Sequence, residues 1–532
     1  MVLGSPTPSR SLAPPRSRAL RQLNRFKVAT IFLIAFVLIA SGCTLNNEAK
    51  SGSGAPKPGS GAPRSQSGEP RSQTNGSEIS WRSCSGGECG AMKVGLRASD
   101  KPGDKGAKTI GLALFRAKAA DSSKRIGVLL INPGGPGGSG FDAARSLSRV
   151  LPATIREHFD IIGWDPRGTG RSTHVQCGDR LDYLFNSDTA PDSKKERGEL
   201  ERVAKRFAAA CASRSGALLS HVSSFDTVRD MESIRLALGE SKINFLGYSY
   251  GTFLGALYAR DYPRRVRSMV LDGAVDPSLS PEASLIQQAQ GLGRALNRFF
   301  DWCDAEKSCA LGAGGASKAY EALRRAIDER PLRFKNRVFG PNQFDLGVSS
   351  FLYSGAGAYE RLASGLEELD AGDPGILLET SDAYVGRSGD GRYDDSWAAF
   401  LAVACLDGPA LGNEEALVQV AKRASEVAKD FGSASVGLGY PCLYWRAKPR
   451  LARALSVSAP GAPPIVIVGT RDDPITPLSW AQGLAVQLGS GHLVVAPGAQ
   501  HTSYPSRDGC LDPIINSYFL RLRVPLAGAA CP

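Results

Sequence analysis

Short apolar runs recur along the chain at 109–116, 126–131, 158–164, 243–246, 268–272, 465–468 and 492–495. Each has the length of a strand, and 126–131 (IGVLLI) is apolar throughout, as suits a strand buried on both faces. Between them lie segments of helical character. Residues 225–240 carry apolar positions at helical spacing, and 252–259 has the composition of a buried helix. Strands alternating with helices predict a mostly parallel central sheet with helices on both faces. After residue 275 the pattern changes. From 276 to 455, helical stretches such as 282–301 and 317–328 dominate, which predicts a large, mostly helical cap inserted into the sheet domain. An insertion costs little when its ends are anchored close together on a stable core. The sheet pattern of 79–275 resumes over 456–532 and closes on a helix near 511–522.

The first 78 residues read differently. Arg10, Arg16, Arg18, Arg21, Arg25 and Lys27 precede an apolar run at 28–40, broken only by Thr30 and followed by Ser41-Gly42-Cys43. That run has the length of a signal-peptide core and is short for a membrane span. The small residues before Cys43 resemble a bacterial lipobox, with Ala40 where leucine is commonest. The resemblance implies cleavage before Cys43 and lipidation of its sulfur. A plain secretory signal or an uncleaved anchor is the alternative, and either exports the chain. Residues 44–78 are mainly Gly, Ser, Pro and polar, with GSGAP at 52–56 and again at 59–63. Such a segment buries no core and reads as a tether. The expected location is the extracytoplasmic face of the bacterial cell membrane or the cell envelope.

Composition changes this picture in two respects. Without residues 1–43 the net charge falls from +12 to +6, and the remaining charges are interspersed, which argues against a nucleic-acid partner. The chain has eleven cysteines, so setting Cys43 aside leaves an even number in an oxidising compartment, enough for five disulfides. Local proximity suggests Cys84–Cys89, Cys177–Cys211, Cys303–Cys309, Cys405–Cys442 and Cys510–Cys531. Metal binding is the competing use of these cysteines, but no Cys-x-x-Cys pair or His-rich cluster supports it.

The candidate chemistry centres on Gly247-Tyr248-Ser249-Tyr250-Gly251, a G-x-S-x-G between a predicted strand and a predicted helix. That turn lifts a serine above the sheet, which makes Ser249 the candidate nucleophile. The glycine-rich 132–140 (NPGGPGGSG) leaves a central strand without the Lys-Ser/Thr ending or GxGxxG spacing of a phosphate loop. In a hydrolase such a loop offers N–H groups to an oxyanion. A Ser, Asp/Glu, His chain order restricts the base to His492 or His501, because His158, His174 and His221 precede the serine. His501 follows the last strand in a loop at the expected edge, whereas His492 opens that strand. In the loop after 465–468, Asp473 is the candidate acid and Asp472 the neighbour most easily confused with it. Tyr250 and Gly135 are the expected oxyanion donors. The charges of 165–172 (DPRGTGRS) have a purely structural alternative, with Asp165 paired to an arginine.

NPGGPGGSG, WDPRGTGRS, GYSYGT, GTRDDPITP and GAQHTSY, in this order, closely resemble the secreted bacterial tripeptidyl aminopeptidases and the related proline iminopeptidases. The resemblance covers nearly all of 79–532, strongly over the core and loosely over the cap. It implies an α/β-hydrolase fold and a serine exopeptidase acting on free N-termini of peptide or protein substrates. It also implies that the cap encloses the site and carries carboxylates for the substrate's ammonium group. Asp407, in Ala404-Cys405-Leu406-Asp407, resembles part of the family's cap pattern and is a candidate ammonium ligand, or else a structural aspartate beside a disulfide. One departure is Pro133, where the proline iminopeptidase loop begins with histidine. No metal or organic cofactor is expected. An esterase or lipase on the same scaffold is the nearest rival, since a triad does not choose between amide and ester. Endopeptidase behaviour and a binding lipoprotein with a dead core are further alternatives; the intact Ser, Asp, His order speaks against the last.

Overall fold

The computed structural model describes residues 78–532 except 179–180, 409–410, 452, 507–508 and 527. The expected signal segment, the lipidation site Cys43 and nearly all of the tether lie outside the described residues.

The order of the sheet follows from how its strands are connected. Strands β1 (Ser80–Cys84), β2 (Gly87–Gly95) and β3 (Thr109–Ala117) follow one another without an intervening helix and pair antiparallel. Strands β4 (Gly127–Asn132), β5 (Phe159–Trp164), β6 (Ile243–Tyr248) and β7 (Val266–Asp272) are separated by helices and pair parallel. A hairpin, β8 (Leu332–Phe334) with β9 (Arg337–Phe339), stands apart from the sheet. Then β10 (Ile465–Thr470), β11 (Gly491–Ala496) and the short β12 (Ala529–Ala530) extend the parallel part. The full order is β1-β2-β3-β5-β4-β6-β7-β10-β11-β12, an α/β-hydrolase sheet with β3 antiparallel to β5 at the join.

The chain winds outward from β4 to β5 and back across to β6, so the order reverses between β4 and β6. In open α/β sheets a ligand site forms at such a reversal, beyond the carboxyl ends of the strands. The register aligns those ends: Asn132 lies beside Gly247, Tyr248 beside Asp272, and Asp272 beside Val468. Strand β4 is buried along its whole length. Val128 and Leu130 enter the core on one face, while Leu129 and Ile131 enter the core on the other. Side-chain alternation places them so.

Between β7 and β10 the chain is helical apart from the β8–β9 hairpin. Much of this segment has its own apolar core, formed by Leu296, Phe299, Phe344, Leu362 and Leu366 among others. The long helix Lys194–Ser215, which lies between β5 and β6 in sequence, packs Leu200 and Ala204 against Leu417, Val420 and Tyr440 of that segment. Part of the apolar contact of this helix is therefore with the inserted helices. Strand β2 also escapes a reading by runs, because only Met92 and Val94 alternate inward along a stretch interrupted by glycines.

All five disulfides join the cysteine pairs that lie closest in sequence: Cys84–Cys89, Cys177–Cys211, Cys303–Cys309, Cys405–Cys442 and Cys510–Cys531. Such a set belongs to an oxidising, extracytoplasmic compartment. Among the described residues, no helix is long and apolar enough to cross a membrane.

Candidate active site

Ser249 sits on the turn between β6 and the helix Tyr250–Asp261, with φ 51° and ψ −125°. A residue with a Cβ adopts that conformation only at a cost of order 1–3 kcal/mol, and the surrounding contacts hold it there. Its N–H donates to the Asp272 carbonyl at 2.9 Å, and its own carbonyl accepts from the N–H of Thr252 at 2.9 Å and from Thr252 Oγ1 at 2.6 Å. The glycine loop after β4 lies directly against this turn. A Cβ on Gly134 (φ +91°) would fall 2.5 Å from the Tyr248 carbonyl oxygen and 3.1 Å from Ser249 Cβ. Only glycine permits that approach.

The loop after β10 carries Asp473, which is 2% exposed. Its Oδ1 accepts from the N–H groups of Ile475 at 2.8 Å and Thr476 at 2.9 Å, and its Oδ2 accepts from Thr476 Oγ1 at 3.0 Å. His501, in the loop after β11, brings Nδ1 to 2.9 Å from Oδ2 and 3.0 Å from Oδ1. His501 Nε2 is buried and has no hydrogen-bond partner among the described residues, Ser249 Oγ included. The serine turn and the histidine loop nevertheless both abut the end of β7. Ser249 is bonded to Asp272, and a Cβ on Gly273 (φ +67°) would lie 3.1 Å from His501 Cε1. Catalytic hydrogen bonds are often open without substrate and close in the complex.

The rival residues are occupied elsewhere. Asp472 pairs with Arg298 of the helix Pro281–Ala305 and stays partly exposed. His492 lies near the start of β11, beside Val466, at the opposite end of the strand from the histidine loop. The charges of the DPRGTGRS loop are structural. Arg167 and Asp230 form a buried bidentate pair, and Asp165 accepts from the N–H groups of Phe141 and Arg171 and from Ser139 Oγ. Burial pushes the Asp165 carboxyl upward against the hydrogen bonds that hold it ionised.

Of the expected oxyanion donors, Tyr250 directly follows the serine, and Gly135 follows Gly134 in the loop that lies against the serine turn. Neither N–H has an acceptor among the described residues, whereas the Gly134 N–H is committed to Asn132 Oδ1 at 3.0 Å. Asp407 ends the helix Ser396–Asp407 and is buried behind Tyr250. It accepts from the Ser224 N–H at 2.7 Å and from the Tyr250 phenol, and burial pushes its carboxyl up to about 6.

Three further residues shape the site without having been evident in the sequence. Thr476 Oγ1 lies 3.3 Å from His501 Nδ1 as well as bonding Asp473. Tyr353, from the inserted helices, accepts the His501 N–H at 2.8 Å and sets its ring edge-on to the imidazole. Asp272 Oδ2 accepts from the N–H groups of Ser503 and Tyr504, at 2.9 and 2.7 Å, and so clamps the histidine loop. A polar residue ending the buried run SMVLD was a usable signal for Asp272; nothing local marks Tyr353.

Asp272 is fully buried, and desolvation raises its pKa to about 7. A folded-state value above the ordinary one means the folded protein holds its proton more tightly. Stability attached to this group is therefore lost as pH rises from about 4 to about 7. Asp272→Asn removes that dependence and supplies an amide where Oδ1 has no partner. The variant's melting temperature is expected to gain on the parent's as pH rises from 5 to 8, by an amount corresponding to about 3 kcal/mol at most. Parallel melting curves across that range would refute the assignment.

The chain matches two family models, one described as the alpha/beta hydrolase fold over residues 127–336 and one as TAP-like protein over 428–531. Serine protease Hip1 of Mycobacterium tuberculosis is 33% identical over 548 positions, which cover 96% of this chain and 100% of that protein. Carboxylesterase B of the same organism is 33% identical over 81% of this chain and 84% of its own length. Tripeptidyl aminopeptidase of Streptomyces lividans is 29% identical over 85% and 86%.

Proposed function

Because the chain belongs to the α/β-hydrolase serine peptidases that include Hip1 and the tripeptidyl aminopeptidases, we propose that Ser249, His501 and Asp473 form its catalytic triad and that it removes residues from the free N-termini of peptides. The observation that carries the triad is the His501–Asp473 contact at 2.9 and 3.0 Å, together with a serine held at φ 51° on its turn. Ser249 Oγ attacks the carbonyl carbon while His501 Nε2 takes its proton. Asp473 holds Nδ1–H and stabilises the imidazolium. The oxyanion is met by the N–H groups of Tyr250 and Gly135. The tetrahedral adduct then collapses: the C–N bond breaks, His501 returns the proton to the leaving amine, and an acyl ester remains on Ser249. Water deprotonated by His501 hydrolyses the ester, releasing the carboxylate product and regenerating the Ser249 hydroxyl.

The exopeptidase reading rests on the motif resemblance, on the Streptomyces relative and on the helical segment whose Tyr353 reaches the histidine loop. A carboxylic-ester reading is favoured by one observation, the relative named carboxylesterase B. Lipid attachment at Cys43 is part of the proposal, supported by the Ala40-Ser41-Gly42-Cys43 sequence and by the disulfides of an exported domain. Loss of detergent-phase partitioning in Cys43→Ser would bear it out, and unchanged partitioning would not.

The deciding experiment uses matched peptides with free and acetylated N-termini and a short aryl ester, with Ser249→Ala as the blank. Cleavage of free N-termini alone is expected, and the fragment lengths report whether one residue or three leave. Equal cutting of acetylated peptides would make the protein an endopeptidase. Ester turnover without peptide cleavage would make it an esterase.

A further inference from the structure

The helix Ser396–Asp407 touches the proposed oxyanion site at both of its ends. Its first turn presses on the glycine loop, where a Cβ on Gly137 would fall 2.4 Å from the Ser396 carbonyl oxygen and 2.9 Å from the Phe400 nitrogen. Its last residue, Asp407, is 6% exposed and spends both carboxylate oxygens inside the protein. One accepts from the Ser224 N–H at 2.7 Å and the other from the Tyr250 hydroxyl, which also bonds Ser224 Oγ. The end of the helix is pinned from behind. Cys405 is disulfide-bonded to Cys442, and the Leu406 carbonyl accepts from the Arg450 N–H at 2.7 Å.

Tyr250 follows the nucleophile in sequence and opens the helix after it, so its N–H and its side chain leave the same backbone unit. Its ring packs edge-on to Phe253, centroids 5.8 Å apart, and its hydroxyl is tied to the carboxylate. A phenol bonded to a buried carboxylate is a strong, charge-assisted contact. Fixing the far end of the side chain limits how far the backbone unit can rotate.

We infer that Asp407 is a positioning residue for the oxyanion hole, holding the Tyr250 N–H at the reacting carbonyl through the phenol. This rests on the proposed function in one respect only, the role of the Tyr250 N–H as an oxyanion donor. It departs from the ammonium-ligand role that the motif resemblance offers for Asp407. An ammonium group reaching this carboxylate would have to part the groups packed over it and share oxygens that already accept from Ser224 and Tyr250. An oxyanion hole works only when its donors stand 2.7–3.1 Å from the developing charge, so small misplacements are costly.

The test compares Tyr250→Phe, Asp407→Asn and the double variant on two substrates. One is a tripeptide anilide with a free N-terminus, and the other is a short-chain aryl ester that has no amine. Each single variant is expected to lose about 10–100-fold in kcat on both substrates, with KM within about threefold. The double variant is expected to lose no more than the worse single variant, because both substitutions act on the same contact, one weakening it and the other removing it. Affinity for an aryl boronic acid, which forms a tetrahedral adduct with the serine, should fall by the same factor as kcat/KM.

A loss confined to the anilide and carried in KM would overturn the inference and make Asp407 an ammonium ligand. Full ester turnover in Tyr250→Phe, or additive losses in the double variant, would also overturn it. Tyr250→Phe keeps the ring and leaves Asp407 bonded to Ser224, so it remains decisive if Asp407→Asn does not fold. Failure of the triad proposal is read separately, as ester turnover that survives Ser249→Ala with Asp407 and Tyr250 intact.

Discussion

Ser249→Ala is expected to remove about 10⁶-fold of turnover on peptide and ester alike, the scale seen when a triad nucleophile is deleted. The substitution is well suited to reading chemistry alone. Alanine has a Cβ as serine does, so the strain at φ 51° is unchanged. The bond from the Ser249 N–H to the Asp272 carbonyl also remains, as does the acceptance of Thr252 by the Ser249 carbonyl. The melting temperature should therefore stay close to the parent's while the rate collapses. The measurement is steady-state kcat on the aryl ester, where the bond is labile and residual turnover is easiest to detect. A variant that turns over at the parent rate would remove Ser249 from the mechanism.

The second large effect separates two adjacent carboxylates. Asp473→Asn keeps the shape of a side chain that accepts from Ile475, Thr476 and His501, but it can present an amide N–H to His501 Nδ1. The imidazole is then held in the tautomer that cannot take the serine proton from Nε2. A fall of about 10⁴ in kcat is expected, as for the same change in other triads. Asp472→Ala removes a half-exposed ion pair with Arg298, a contact worth about 1 kcal/mol or less. Its kcat is expected to stay within about threefold of the parent's. Side-by-side kinetics of the two variants decide the matter, and the reverse order would transfer the role to Asp472.

The loop sequence GTRDDPITP shows why this pair is hard to separate from sequence. Both aspartates follow the same strand and precede the same proline. What distinguishes them is partner geometry: Asp472 turns to a helix 174 residues earlier in the chain, and Asp473 turns inward to the histidine loop 28 residues later. The glycine loop is a similar case. The run of glycines announces backbone that must pass close to something. Only the placed β4 and β6 bring Gly134 against Ser249, while its N–H is committed to Asn132 and the Gly135 N–H has no acceptor among the described residues.

Local chemistry determined much of this protein before any folding is considered. Apolar runs of strand length, helical spacing between them and a serine between flanking glycines follow from hydrogen-bonding periodicity and backbone sterics, which act over a few residues. Those rules sufficed for the α/β sheet and for pairing neighbouring cysteines, and they single out Ser249 as the candidate nucleophile. They could not reach contacts whose partners are distant in sequence. Tyr353 supports the His501 backbone from 148 residues away, and Asp407 reaches Tyr250 across 157. The helix Lys194–Ser215 finds partners beyond residue 410. Such pairings are chosen by complementary burial and by the need to satisfy every buried polar group, and both are properties of the assembled fold.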